Sequence, residues 1–110
     1  MELSKKDKKA AREVIEKGLQ REFIKGLGSF DKIISEWKNK TLDNRDAYLK
    51  LYKRVVSFDK HIGRRYDYVT GSKYLFTVAS QLADGVITED DLNDFSPEAK
   101  AAIKFLVHGE

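Results

Sequence analysis

Few side chains in this 110-residue chain are of a type and spacing that could make or break bonds. His61 and His108 lie far apart, neither stands at a Glu-x-x-His or His-Glu-x-x-His spacing, and the chain has no cysteine and no glycine-rich phosphate loop. Glu13 and Glu16 share a helix face, where such acids are usually solvated. These patterns predict a protein that is not an enzyme and that binds no metal or cofactor.

The densest cluster of interaction-prone side chains is Gly63-Arg64-Arg65-Tyr66-Asp67-Tyr68. Arginine and tyrosine provide planar hydrogen bonding and a large contact area at low entropic cost, so the cluster predicts a binding surface. A structural role fits as well, in which Tyr66 and Tyr68 anchor a helix junction and Asp67 caps the next helix. In that role Asp67 would also pair with Arg64 or Arg65. Both interpretations stay open.

Charge is unevenly distributed along the chain. The net charge of +3 divides into +8 over residues 1–65 and −5 over residues 66–110. Such polarity can steer a partner or favour antiparallel self-association, or it can be a solvated surface. A basic stretch near the start could meet phosphates, because counterion release rewards clustered positive charge, but no aromatic residue is interleaved in it. It contains Lys5, Lys6, Lys8, Lys9 and Arg12.

Composition predicts one folded domain over residues 1–110. The chain is 41% hydrophobic, which is too apolar for a disordered segment. No apolar run approaches the roughly 20 residues that cross a bilayer, and the charged start lacks the apolar core of a signal peptide. We therefore expect a cytoplasmic protein without membrane contact, and the lack of cysteine fits a reducing compartment.

The hydrophobic spacing is helical nearly throughout, which predicts an all-α fold. A first stripe runs from Ala11 to Phe23, and a second from Phe30 to Trp37 either continues the same helix past Gly26 and Gly28 or starts a new one. After a polar turn over residues 38–44, a third stripe runs over residues 48–62. We expect long helices over about residues 4–62.

The C-terminal part has well-marked helix boundaries. An apolar stripe over residues 75–82 stops at Asp84-Gly85, and Thr88 with Asp91 resembles a capping box. Ser96-Pro97-Glu98 predicts the start of a last helix that ends at Gly109. These shorter helices predict a compact helical head over about residues 63–110.

Aromatic side chains on the long helices are either core or a helix-pairing face. A chain of this length buries only about two-thirds of its unfolded surface by itself, and pairing long helices adds to that burial. A homodimer is therefore an attractive interpretation of these aromatics, and burial in the core of a single copy is the other.

Two stretches of the chain resemble the fluorescence recovery protein family, the small helical dimers with which cyanobacteria switch off photoprotection by the orange carotenoid protein. Lys17-Gly18-Leu19-Gln20-Arg21-Glu22 is similar to the family's Lys-Ala-Tyr-Gln-Arg-Glu, and Arg65-Tyr66-Asp67-Tyr68 is similar to its Lys-Tyr-Asp-Tyr. The resemblance continues through Leu75-Phe76 and Glu89-Asp90-Asp91-Leu92, and it covers about residues 12–106.

This resemblance implies a regulatory homodimer that pairs through its N-terminal helices, over about residues 4–62, and makes or breaks no bond. On this basis we expect a dimer interface that contains Trp37, Tyr48, Leu49, Tyr52 and Val55. Family members bind the light-activated, domain-separated carotenoid protein and speed its return to the resting form, which is catalysis of a conformational change by differential binding. On this basis we expect the protein partner, of the orange carotenoid type or unidentified, to contact Lys53, Asp59, Arg64, Arg65, Tyr66, Asp67, Tyr68 and Phe76.

The chain departs from the family at contact positions. Where members typically carry tryptophan, aspartate and arginine, this chain has Leu49, Lys53 and Asp59, and a one-residue shift would place Tyr48 at the aromatic position. Charge reversal costs affinity when the partner is unchanged, so we expect a relative with a diverged partner. Two alternatives are a small basic protein that binds nucleic acid, the less favoured partner, and a dimeric scaffold for an unidentified protein.

Overall fold

A computed structural model describes residues 2–109, which form four α-helices and no β-strand, so the predicted all-α fold is confirmed. The helices are α1 (Lys5–Lys38), α2 (Asn44–Tyr66), α3 (Tyr74–Ala83) and α4 (Pro97–His108), with short 3₁₀ turns at Gly71–Lys73 and Glu89–Leu92. The molecule is elongated, 53 × 25 × 24 Å. No helix in residues 2–109 has the length and apolar character needed to span a membrane.

Helix α1 runs unbroken for 34 residues, so the second apolar stripe continues the first helix. The Ser4 hydroxyl caps its start by accepting a hydrogen bond from the Asp7 amide at 3.1 Å. Gly26 is needed for close packing, because a Cβ atom at this position would lie only 2.4 Å from the Phe58 ring. A Cβ atom at Gly28, by contrast, would have no other atom within 4 Å. The missing side chain at Gly26 therefore lets α2 approach α1 closely.

Helices α1 and α2 form an antiparallel hairpin. Glu36 accepts a hydrogen bond from Lys50 near the turn, and Glu22 accepts one from Arg65 at the other end. Between them the Phe58 ring packs edge-on against Phe23 and Phe30, with ring centroids 6.5 and 5.7 Å apart. These aromatic contacts bury the facing stripes of the two helices.

The core of the head combines residues from both ends of the chain. Its buried side chains come from the first part of α1, from α3, from the segment after α3 and from α4, and they include Ala10, Ala11, Val14, Val78, Ala79, Ile87, Leu92, Phe95, Ala99 and Ile103. The first part of α1, which the sequence pattern assigned to the stem, is thus one wall of the head. One long helix therefore belongs to both the head and the hairpin.

Asp7 joins the start of α1 to the start of α4. Its buried carboxylate accepts hydrogen bonds from the Ser96 amide at 2.8 Å and the Ser96 hydroxyl at 2.6 Å. Burial alone would raise the pKa of Asp7, but the hydrogen bonds from Ser96 outweigh it and hold this pKa below its usual value. The Ser96 hydroxyl also caps α4 by accepting from the Ala99 amide, so one serine connects both helix starts.

We predict opposite effects of adding a methyl group at the two helical glycines. Gly28→Ala should raise the free energy of unfolding by about 1 kcal/mol, because the site is open and alanine favours helix. Gly26→Ala should lower it, because displacing a packed ring costs about 1–3 kcal/mol. Urea denaturation followed by circular dichroism measures both variants, and shifts of the same sign would contradict this account.

Candidate protein-binding surface

The predicted partner residues at the end of α2 and in α3 divide into a buried and an exposed group. Arg65 and Tyr66 are largely buried, and the Arg65 side chain is only 8% exposed. The exposed group contains Arg64, Asp67, Tyr68 and Phe76. The sequence analysis grouped these residues mainly because they are close together along the chain. In the structure, one group is inside the protein and the other faces solvent.

The buried group surrounds the carboxylate of Glu22, which is 8% exposed in the middle of α1. One oxygen lies 2.6 Å from His61 Nε2 and accepts from Arg65 Nη1 at 3.2 Å, and the other accepts from the Tyr66 hydroxyl. Burial alone would raise the pKa of Glu22, but the Tyr66 and His61 contacts and the Arg65 charge lower it below its usual value. Burial and the neighbouring carboxylate raise the pKa of Tyr66 to about 12.

Gln81 extends this arrangement to α3. The side chain is fully buried, and its amide nitrogen donates to the Ile15 carbonyl and to the Tyr66 hydroxyl, both at 3.1 Å. A Cβ on Gly18 would lie 2.2 Å from that nitrogen, so the glycine provides the space for the amide. We call Glu22, His61, Arg65, Tyr66 and Gln81 the Glu22 network; it joins α1, α2 and α3.

Three ion pairs lie at or near the network. Arg65 also pairs with Asp84 just after α3. Asp91 pairs with Lys17 at 3.0 Å and with Arg21 at 2.8 Å, and these contacts, led by the Arg21 hydrogen bond, hold the pKa of Asp91 well below its usual range. Asp91 also accepts a hydrogen bond from the Thr88 amide at 2.8 Å, so the expected capping-box contact is present. The ion pairs of Asp91 attach this turn to α1.

Sequence reasoning assigned no role to Glu22, His61, Gln81 or Asp84. One signal was available: Gly18, Glu22 and Gly26 are spaced four residues apart, so they share one face of α1. Two residues without side chains on either side of an acid mark a face that other elements approach closely. The spacing does not show which groups approach this face, because those groups are far away in the sequence.

Three residues of the exposed group, Arg64, Asp67 and Phe76, line a groove beside the network. The groove has a volume of about 430 Å³, and its walls include Arg64, Asp67, Lys73 and Phe76 together with the edge of Arg65. We call it the Phe76 groove, after the side chain that is 62% exposed on it. Four residues predicted to contact a partner thus line one concavity, and their role in binding stays a prediction.

Tyr68 and Asp67 differ from the structural interpretation of the cluster. Tyr68 is 89% exposed with a left-handed backbone, φ 59°, so it anchors no junction within the protomer. Asp67 ends α2 through a backbone hydrogen bond to Gly63, and within residues 2–109 it forms no ion pair with Arg64 or Arg65. Of the two tyrosines only Tyr66 is a junction anchor.

The residues predicted to form the dimer interface lie outside the core of the protomer. Tyr48, Leu49, Tyr52 and Val55 are exposed along α2, and we call them the aromatic face. Trp37 is exposed at the end of α1, where its indole donates to Asn44 at 2.7 Å and lines an apolar groove of about 340 Å³ with Tyr48. These side chains therefore leave apolar surface exposed on α2 and at the end of α1.

The remaining predicted residues are also exposed. Lys53 and Asp59 lie on α2, and no ion pair among the described residues involves either of them.

The basic stretch near the start of the chain is mostly exposed: Lys5, Lys6, Lys9 and Arg12 are exposed and Lys8 is half-buried. No group of three metal-ligating side chains occurs among residues 2–109. The nucleic-acid alternative rests on the exposure of the basic stretch alone and stays a prediction.

We predict that Glu22→Gln lowers the free energy of unfolding by about 2–3 kcal/mol, because it removes the charge that compensates a largely buried arginine. Glu13→Gln is the matched control, since Glu13 is exposed on the same helix and the change should cost about 0.5 kcal/mol or less. Urea denaturation of both variants measures the difference. Equal losses would mean that the buried carboxylate carries no special share of stability.

No model of a protein family, no characterised protein and no solved structure matches this chain. The resemblance carried by the Gln-Arg-Glu and Tyr-Asp-Tyr stretches therefore stays a prediction. The features that bear on function are the aromatic face, the Phe76 groove and the Glu22 network.

Proposed function

We propose that this chain is a regulatory protein that acts through protein–protein contacts, as a homodimer, in the manner of the fluorescence recovery protein and with a diverged partner surface. The observation that carries the proposal is the placement of large aromatic side chains on two exposed surfaces. Tyr48 and Tyr52 are 68% and 59% exposed on α2, and Tyr68 and Phe76 are exposed beside the Glu22 network. Aromatic residues held on a rigid base are the usual anchors of protein interfaces.

The aromatic face is the proposed dimer interface. Tyr48, Tyr52 and Val55 repeat at the spacing of one helix face, so two copies of α2 can pair along it over two turns. Pairing would cover apolar area that the protomer leaves in water, at about 25 cal/mol per Å². Trp37, fixed by Asn44, adds an anchor at the hairpin end of the same region.

The Phe76 groove and Tyr68 form the proposed partner surface. The groove combines an exposed aromatic ring with Arg64, Lys73 and Asp67, which gives an apolar centre with charges of both signs. The left-handed backbone at Tyr68 costs about 1–3 kcal/mol for a residue that is not glycine, and such strain is typical of functional positions. Lys53 and Asp59, farther back along α2, would provide charged contacts to the same or a second partner segment.

The mechanism that follows is differential binding. A protein that contacts two domains of its partner more favourably when they lie together shifts the partner toward that arrangement, by the difference in affinity for the two states. A rigid contact surface makes that difference large, because less of the binding free energy is lost to ordering the surface itself. The Glu22 network provides this rigidity directly behind the Phe76 groove.

We predict that Tyr52→Glu converts a dimer to monomers, because it places a charge in the apolar interface. Ala101→Glu is the control, since it adds the same charge at an exposed position of α4, outside the proposed interface, and should leave the dimer intact. Light scattering after size-exclusion chromatography gives both masses. A dimer that persists in Tyr52→Glu, or a monomeric parent protein, would refute the proposed interface.

The partner is tested by the dark return of photoactivated orange carotenoid protein to its orange state, with and without a stoichiometric amount of this protein. We predict an acceleration that Phe76→Ala reduces by about tenfold or more, as expected for an aromatic anchor. Phe105→Ala is the control, because Phe105 is similarly exposed but lies on α4. No acceleration by a folded dimer would remove this partner and leave the scaffold alternative, to be pursued by capture from the source organism.

A further inference from the structure

A basic cleft lies on the side of the hairpin that faces the turn after α3. Its volume is about 620 Å³. Its charged walls are Arg21, Lys25, Arg54, Arg64 and Arg65 against Glu22 and Asp84, with His61 among them, and the rest is Gly26, Ser57, Phe58, Gly85 and Val86. The cleft thus gathers five strong cations and two carboxylates. The proposed dimer and partner surfaces do not account for it.

Both carboxylates of the cleft are already used inside the protein. Glu22 faces His61, Arg65 and Tyr66, and Asp84 pairs with Arg65. Arg21 pairs with Asp91 outside the cleft. Lys25, Arg54 and Arg64, by contrast, have no carboxylate within 4.0 Å among residues 2–109. These three cations therefore share one concavity without an internal counter-charge.

The fold holds Arg54 in place. Arg54 lies over the Phe58 ring, with its guanidinium carbon 5.9 Å from the ring centroid, and that ring is itself held against Gly26. Arg54, His61 and Arg65 repeat along one face of α2, while Arg21 and Lys25 are one turn apart on α1. Positive charges that lie close together in a cleft repel one another, and a bound anion reduces this repulsion.

We propose that the basic cleft binds a small phosphate-bearing molecule, with Arg54, Arg64 and Lys25 as the groups that contact phosphate oxygens. Arginine presents a planar fork that matches phosphate, and the cleft volume lies within the range of small-ligand sites. The apolar wall of Phe58 and Val86 beside the cations suits a ligand with an uncharged body. Glu22 and Asp84 within the cleft favour a compact anion over a nucleic-acid backbone, whose successive phosphates would meet these carboxylates.

Isothermal titration calorimetry with sodium pyrophosphate, at an ionic strength held constant with sodium chloride, tests the site. We expect saturable binding of one pyrophosphate per protomer and a Kd that rises about tenfold or more in Arg64→Gln and in Lys25→Gln. Neither side chain is in an ion pair, so both variants should keep the parent circular dichroism spectrum. Arg12→Gln removes the same charge from an exposed site outside the cleft and should leave the Kd within about twofold.

Three results would overturn the proposal. One is the absence of saturable binding to the folded parent protein. Another is an equal loss of affinity in Arg12→Gln and Arg64→Gln, which would mean that net charge alone attracts the anion. The third is displacement of pyrophosphate by a short DNA duplex at a lower concentration than pyrophosphate itself requires, which would assign the cleft to nucleic acid.

Discussion

A single buried carboxylate, that of Glu22, holds together the three helices on which both proposed surfaces depend. Removing a charge from water costs several kcal/mol, so the carboxylate is stable there only with donors in the right places. His61, Arg65 and Tyr66 provide them from the last turns of α2, and that requirement sets how far α2 can slide along α1. The Tyr66 hydroxyl also accepts a hydrogen bond from Gln81, which fixes the position of α3 relative to α2.

This arrangement explains why the exposed groups near it are well placed for binding. Arg65 is held between Glu22 and Asp84, and its neighbour Arg64 is thereby presented to solvent between the Phe76 groove and the basic cleft, both of which it lines. A side chain on a fixed backbone loses less freedom on binding than one on a loop. The Phe76 groove and the basic cleft consequently share Arg64 and Arg65, so a ligand that paired with Arg64 in one cavity would occupy a charge of the other.

Local features of the fold followed from the sequence because they depend on near neighbours. Ser96 with Pro97 marked the start of α4, and Gly85 and Gly109, with φ of 72° and 73°, lie where the expected helix ends are. Contacts such as Asp7 with Ser96, 89 positions apart, could not be predicted, since periodicity identifies an inward face without identifying what meets it. For the same reason the spacing of Tyr48 and Tyr52 fitted either a core or a pairing face, and only the packed hairpin places them outside.

Some of the residues that suggested a family are buried, whereas the residues that departed from it are exposed. Tyr68 and Phe76 also belong to the resemblance, and they are exposed. Gly18, Glu22 and Tyr66, within the two similar stretches, belong to the internal contacts of the protomer, whereas Leu49, Lys53 and Asp59 are exposed on α2. Internal contacts constrain one another, because changing one partner of a buried pair is costly, but an exposed residue is constrained only by what binds it. A chain can therefore keep such a scaffold while its partner changes. Under the proposed function, the partner is decided by the exposed residues of α2 and the Phe76 groove, and similarity within the Glu22 network bears on the fold alone.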